Sequence, residues 1–158
     1  MGSFTIEEIC IATGGRLIGG NGKDTEVKGV STDTRTIREK QLFIPLLGGN
    51  FDGHEFISDA IQKGAAAVIT QYSNIDVPHE IPVILVKNTL AALQDIAMFH
   101  RKRFNIPVVA VTGSTGKTTT KDMIYYVLSE RYNVLRTEGN LNNEIGLPHT
   151  LLRFNDAH

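Results

Sequence analysis

A single cysteine and no tryptophan occur among the 158 residues. With Cys10 alone, no intrachain disulfide can form, which suits a reducing compartment. Long apolar runs are also missing: none approaches the ~18 residues of a membrane span. The segment Met1 to Ile6 has no apolar stretch of the secretory kind, and Ile6 stands where a myristoylation pattern wants Ser or Thr. Neither sign of charge dominates. Sixteen Lys and Arg face seventeen Asp and Glu, for a net charge of −1. That excludes a general electrostatic grip on nucleic acid or an anionic membrane. The five histidines, at positions 54, 79, 100, 149 and 158, show no metal-ligand spacing. No internal repeat and no low-complexity segment is present. What remains is a cytoplasmic α/β protein.

Hydrophobic residues make up 41% and charged residues 21%, so the chain can build a core. Thr5 and Glu8 form a capping box for a helix carrying Ile6, Ile9 and Cys10, stopped by Gly14-Gly15. Residues 16–22 read as a short Gly-cornered hairpin. Strands are predicted over 27–30, 41–46, 65–70 and 83–86, with Pro45 marking an edge or exit. Asp52 and Glu55 frame a second capping box, before a helix carrying Phe56, Ile57, Ala60 and Ile61. Asn88 caps another, with Leu90, Leu93, Ile96 and Ala97 inward and Arg101 to Arg103 at the dipole's negative end. Residues 108–112 form a continuous apolar run of the central parallel-strand type. A helix is predicted over 117–131, with Met123, Ile124, Val127 and Leu128 inward, then a strand over 133–136 and a helical turn or two over 148–154.

This alternation of strand and helix predicts an α/β fold in two units, residues 1–86 and 87–158. The second holds one βαβ and little else, fewer strands than a doubly wound nucleotide domain needs.

Between the strand at 108–112 and its helix lies Gly113-Ser114-Thr115-Gly116-Lys117-Thr118-Thr119. Glycines let backbone N–H groups approach phosphate oxygens with no Cβ in the way. The helix N-terminus adds its positive end. Lys117 can reach the β- and γ-phosphates, and the Thr118 hydroxyl suits Mg²⁺. Two residues separate the glycines rather than the usual four, so this is a shortened P-loop.

Residues 112–120 resemble the ATP loop of the Mur ligases, the amide-bond-forming enzymes of peptidoglycan synthesis. The run Thr137 to Pro148, with Asn140, Asn142, Asn143, Glu144 and Gly146, is similar to the member of that family that joins D-Ala-D-Ala to UDP-MurNAc-tripeptide. The segment Ser31-Thr32-Asp33-Thr34-Arg35, the run Leu42 to Leu46, Gly48 and Asp52-Gly53-His54 agree with it. The resemblance covers nearly the whole chain but only the N-terminal part of a three-domain architecture.

The resemblance implies that residues 1–86 form a small substrate-binding domain, with Ser31, Thr34, Arg35, Pro45, Leu46, Gly48 and Asn50 on the UDP-muropeptide. It implies that residues 87–158 begin the ATP-binding domain. There Gly113, Ser114, Thr115, Gly116, Lys117, Thr118, Thr119, Asn142 and Asn143 would serve ATP, Lys117 catalysis and Thr118 the metal. ATP and Mg²⁺ are the implied cofactors. UDP-MurNAc-tripeptide and D-Ala-D-Ala are the implied partners. Residues 1–158 alone are expected to lack ligase activity, because the family's remaining metal ligands and third domain match later segments.

On residues alone, plainer readings stand beside these. Residues 31–35 read first as a turn stabilised by Asp33, and Asp52 as a helix cap; Asn140 to Asn143 divide evenly between turn and ligand. A UDP-sugar-binding module that uses no ATP, and the tripeptide-forming relative in the same family, are the rival readings of the whole.

Overall fold

The computed structural model describes residues 2–20, 22–139 and 141–158. Strand β1 (Ser3–Thr5) runs into helix α1 (Ile6–Thr13). Thr5 Oγ1 accepts from Glu8 N at 3.2 Å, and the Glu8 carboxylate accepts from Thr5 N at 3.0 Å. Both halves of the capping box are therefore made. Gly14, at φ 63°, ends the helix in the left-handed conformation.

The strands that follow are β2 (Arg16–Gly19), β3 (Glu26–Lys28), β4 (Val30–Ser31), β5 (Leu42–Phe43), β6 (Leu47–Gly48), β7 (Phe51–Asp52), β8 (Ala67–Thr70) and β9 (Val83–Leu85). Five of them form the main sheet, in the order β2-β9-β8-β5-β4. Its pairs β4/β5, β5/β8 and β8/β9 are parallel, and β2 joins β9 antiparallel.

Two sequence expectations change here. The hairpin expected over 16–22 is not formed among the described residues: Gly20 turns the chain at φ 73°, and a Cβ there would lie 2.6 Å from Pro82 N. The chain is thus packed against the distant entry to β9, which becomes the partner of β2. The single strand expected over 27–30 divides at Gly29, where φ is 100°. Its first half, β3, pairs with β1, and its second half, β4, joins the main sheet.

The sheet is covered on both faces, and the pleat shows which residue serves which. Leu42, Ile44, Ala67 and Ile69 enter one core with Ile6, Ile9, Ile84, Leu93 and Ile96. Phe43 and Val68 point the other way, into a smaller core with Ile57, Ala60 and Ala65. Neighbouring residues alternate faces with period two, and both faces are apolar, as in a buried parallel sheet. Helix α2 (Ile57–Gln62) closes the smaller core.

Helix α3 (Thr89–Arg101), capped by Asn88 Oδ1 accepting from Ala91 N at 2.8 Å, lies in the larger core with α1. It follows the boundary expected near residue 86, yet Ala92, Leu93, Ile96 and Ala97 are buried among residues of the first unit. Helix α4 (Lys117–Ser129) is different. It buries none of its residues, and Met123 and Val127, expected inward, are 63% and 73% exposed.

Residues 108–112 and 133–136, expected as strands, join no ladder among the described residues. A parallel strand exists only between hydrogen-bonded neighbours, and Val108 and Val109 lie exposed instead. Polar contacts tie α4 to the chain beyond it. Lys121 Nζ donates to Thr137 O at 2.8 Å, Arg136 Nη1 pairs with Asp122 Oδ1 at 2.8 Å, and the Arg136 guanidinium lies 4.1 Å from the Tyr125 ring centroid.

Helix α5 (Gly146–Leu151) starts two residues before the turn expected at Pro148. It brings the chain back: Leu152 is buried in the larger core, Gly2 N donates to Leu152 O at 3.2 Å, and His100 Nε2 donates to Phe154 O at 3.0 Å. Among the described residues no helix is long and apolar enough to cross a membrane.

Candidate functional site

Because β4, β5, β8 and β9 are parallel, the segments leaving Ser31, Phe43, Thr70 and Leu85 emerge at one edge of the sheet. That carboxyl edge is where open α/β sheets bind ligands. Ser31 is buried, its Oγ donating to Asp33 O at 3.0 Å and accepting from Asp33 N at 3.3 Å. Thr34 is buried too, and its carbonyl accepts from Lys63 Nζ at 3.1 Å. Asp33 accepts from Arg35 N, Nε and Nη2, the last at 2.6 Å. The Arg35 guanidinium holds the Asp33 carboxyl down at about 2. The turn read from the residues is therefore present, and it carries an Arg35 side chain that is 85% exposed.

After β5 the chain passes through buried Pro45 and half-buried Leu46 into the small hairpin β6/β7. Gly48 and Asn50 are exposed on it. Phe51 and Phe56, both exposed, stack with their ring centroids 5.4 Å apart. The second capping box takes another form than expected. Asp52 Oδ1 accepts from His54 N at 2.9 Å, not from Glu55 N, and the turn it caps is a 3₁₀ helix over Gly53–Phe56. This tighter turn brings Phe56 outward rather than into the core.

Tyr72 was not singled out by sequence reasoning. It lies just beyond β8, its hydroxyl donates to Asp52 Oδ2 at 2.8 Å, and the carboxylate pushes the phenol's pKa up. No local spacing announces a pair so far apart in the chain. The same holds for Thr32 and His149, whose Oγ1 and Nε2 are 3.1 Å apart.

The second site is the loop before α4. Gly113 and Gly116 have φ of 152° and 75°. A Cβ on Gly116 would meet nothing within 4 Å, so conformation rather than space asks for glycine there. Lys117 Nζ donates to Gly113 O at 2.6 Å, folding the side chain over the loop. Residues 112–120, including Ser114, Thr115, Thr118 and Thr119, are exposed. The leading N–H groups of a helix lack acceptors within it. Those of α4, with the Lys117 ammonium, suit the phosphates of a nucleotide, and the Thr118 hydroxyl adds an oxygen suited to a hard cation.

Asn142 is exposed. Asn143 Oδ1 accepts from Gly146 N at 2.7 Å and Ile145 N at 3.3 Å, so its carbonyl holds the start of α5. Asn140 lies outside the described residues. Glu138 pairs with Arg153 at 2.8 Å, which lowers its pKa.

Fold and loops together define an α/β chain in which a glycine-rich turn opening helix α4 follows a mainly parallel sheet. Two family models match it: "Mur ligase family, catalytic domain" over residues 26–113, and "Mur ligase middle domain" over residues 111–158. The chain belongs to the Mur ligase family.

UDP-N-acetylmuramoyl-tripeptide–D-alanyl-D-alanine ligase of Bacillus subtilis (strain 168) is 47% identical over 148 residues, covering 94% of this chain and 32% of that protein. The Escherichia coli (strain K12) ligase of the same name is 39% identical, covering 96% of this chain and 32% of its own length. A crystal structure of MurF from Acinetobacter baumannii superposes with a TM-score of 0.92 at 34% identity, over 100% of this chain and 34% of that one. MurF ligase from Thermotoga maritima in complex with ADP gives 0.70 at 34% identity, over 82% of this chain and 30% of that one. The chain thus spans about a third of the length of the curated relatives it matches.

Proposed function

We propose that this chain is the substrate-edge and phosphate-loop portion of an ATP-dependent ligase that joins D-Ala-D-Ala to UDP-MurNAc-tripeptide in the cytoplasm. The observation that carries the reading is the presence of both the Gly113–Thr119 loop and the 31–50 sheet edge in a chain 47% identical to a ligase of that name. Residues 1–86 would hold the muropeptide and residues 87–158 would open the ATP-binding part, with α3 and α5 seated on the first unit's core.

The chemistry follows from a poor electrophile. A carboxylate cannot expel oxide, so the γ-phosphoryl group passes to the muropeptide's terminal carboxylate and ADP leaves. The D-Ala-D-Ala amine then attacks the acyl carbon, loses a proton, and expels phosphate. Catalysis of this kind is positioning and charge neutralisation. Lys117 would neutralise the β- and γ-phosphates, and the N–H groups of residues 113–119 would orient them. Mg²⁺, when bound at the Thr118 hydroxyl with oxygens from elsewhere, supplies further neutralisation.

Ser31 and Thr34 would bind the UDP end through hydrogen bonds. Arg35 would face the diphosphate: Asp33 engages its Nε and Nη2, and the guanidinium fork has further donors for a phosphate. Pro45, Leu46, Gly48 and Asn50 would line the muropeptide from the neighbouring segment. Asn142 and Asn143 would close on the phosphate side.

Calorimetric titration tests this directly. UDP-MurNAc-tripeptide and Mg-ATP should each bind saturably, and Lys117→Ala should abolish only the second. A folded chain that ignores the muropeptide would overturn the reading. Muropeptide binding with no response to Mg-ATP would instead identify a UDP-sugar module.

A further inference from the structure

The hairpin β6/β7 has two residues in each strand and, among the described residues, no other strand beside it. Two-stranded ribbons of this kind are marginal in water. Its own side chains do not bury it, since Leu47 is 48% and Phe51 56% exposed. Its geometry is nevertheless set at the base. Gly53 N donates to Leu46 O at 2.9 Å, and a Cβ on Gly53 would lie 2.7 Å from Leu46 N and O. The two ends of the hairpin therefore touch backbone to backbone.

The base is also fastened sideways, to the end of β8. Asp52 receives three donors: His54 N at 2.9 Å and His54 Nδ1 at 2.6 Å on Oδ1, and the Tyr72 hydroxyl at 2.8 Å on Oδ2. The His54 side chain is only 5% exposed, and its ring centroid lies 4.3 Å from that of Tyr72. Tyr72 is fixed in turn, its backbone N donating to Thr70 Oγ1 at 3.0 Å. Helix capping alone would need one of these three bonds. Of the other two, the His54 ring bond lies within the segment that follows β5, while the Tyr72 bond spans the gap to the segment that follows β8, as does Gln71 N donating to His54 Nε2 at 3.4 Å.

We propose that Asp52 and Tyr72 are positioning residues for the muropeptide: the carboxylate–phenol bond, backed by His54, holds the Gly48–Asn50 tip against the sheet edge where the substrate is read. This rests on the muropeptide assignment above. Neither side chain needs to touch the substrate. Their contribution is that the tip does not have to be ordered at the moment of binding, a cost that preorganisation removes.

The test uses the chain as it stands, with Tyr72→Phe removing one hydroxyl from a side chain that is already partly exposed. Expected are a fall of about tenfold in affinity for UDP-MurNAc-tripeptide, unchanged affinity for Mg-ATP, an unchanged melting midpoint within a few degrees, and faster amide exchange at Gly48 and Phe51. Asp52→Asn should weaken muropeptide binding similarly, and the double variant should lose no more than the worse single one. Arg35→Ala serves as the separate check on the muropeptide assignment. If Arg35→Ala abolishes binding while Tyr72→Phe binds as the unaltered chain does, the positioning role is overturned and the assignment stands. If the unaltered chain does not bind the muropeptide, both fall. Equal losses of muropeptide and Mg-ATP affinity in Tyr72→Phe would also overturn the proposal, since they would report general loosening.

Discussion

Thr32 Oγ1 lies 3.1 Å from His149 Nε2, joining the loop after β4 to helix α5 near the other end of the chain. The contact is half-buried, and burial lowers the pKa of His149. Removing the imidazole with His149→Ala should lower the unfolding free energy by about 1 kcal/mol for the hydrogen bond, plus the packing lost. Thr32→Val added to it should cost little more, because the partner is already gone. Additive losses in urea unfolding would show that the two side chains do not interact.

The buried imidazoles should also make stability depend on pH. His100 Nε2 donates to Phe154 O, so Nδ1 carries the lone pair, and Nδ1 has no hydrogen-bond partner. A proton there would sit buried and unpaired, and burial accordingly lowers the pKa of His100 below 6.5, as it does that of His149. The unfolded chain protonates near 6.5 while the folded chain resists, so unfolding takes up protons in that window. Stability should be full above about pH 6.5 and fall as pH drops below it. A urea midpoint that stays flat from pH 7.5 to 5 would contradict this.

The Asp33–Arg35 pair should respond in the same direction but at lower pH. With the Asp33 carboxyl at about 2, against 3.8 when unperturbed, the pair persists through mild acid. Its contribution is complete above pH 3.8 and disappears as pH falls towards 2. Muropeptide affinity between pH 7 and 5 should therefore not decline through this pair. An NMR titration of the Asp33 carboxyl with a midpoint near 4 would refute the expectation.

Core and phosphate-loop helix should respond differently to substitution. Leu93 is fully buried between α1 and the sheet, and Leu93→Ala should cost about 2–5 kcal/mol. Met123 is 63% exposed on α4, and Met123→Lys should change stability by no more than ~0.5 kcal/mol. Comparable losses at both positions in denaturant titrations would show that α4 is packed after all.

Gly116→Ala should damage the phosphate loop through backbone conformation alone. At φ 75°, with nothing near a Cβ, the added methyl clashes with no neighbour, yet the left-handed conformation costs it about 1 kcal/mol. Mg-ATP affinity should fall several-fold while the muropeptide binds unchanged. Unaltered Mg-ATP binding would separate this glycine from the phosphate site.

What could be read in the chain beforehand was local. Thr5 with Glu8, Asn88 with α3, and Gly14 at a helix end act within one turn, and each is where the residues predict it. The apolar runs around Leu42 and Val68 are strands because buried parallel strands need both faces covered. What could not be read depended on partners distant in sequence. The residues of β2 do not announce β9, which is fixed by the approach of Gly20 to Pro82. Asp52 looked like a cap and is one, but the Tyr72 bond that gives it a second use crosses between two loops. Residues 108–112 carry the pattern of a central strand, and pattern without neighbours makes no ladder. The Gly113–Thr119 loop stands out in the sequence because a phosphate site asks for glycine, lysine and threonine at fixed offsets, whereas Ser31, Thr34 and Arg35 became candidates only through resemblance.

The return of Leu152 to the larger core, with Phe154 O held by His100, makes the Gly113–Thr119 loop part of a handle, anchored to one body at both ends. Arg101 secures the near end by donating to Phe104 O and Ile106 O, and α5 secures the far one. A protease that cut the handle anywhere between residues 107 and 145 would sever the polypeptide without separating its parts. The two pieces should co-elute on a sizing column until denaturant is added, and two peaks in native buffer would show that α5 holds the far end only through the intact chain.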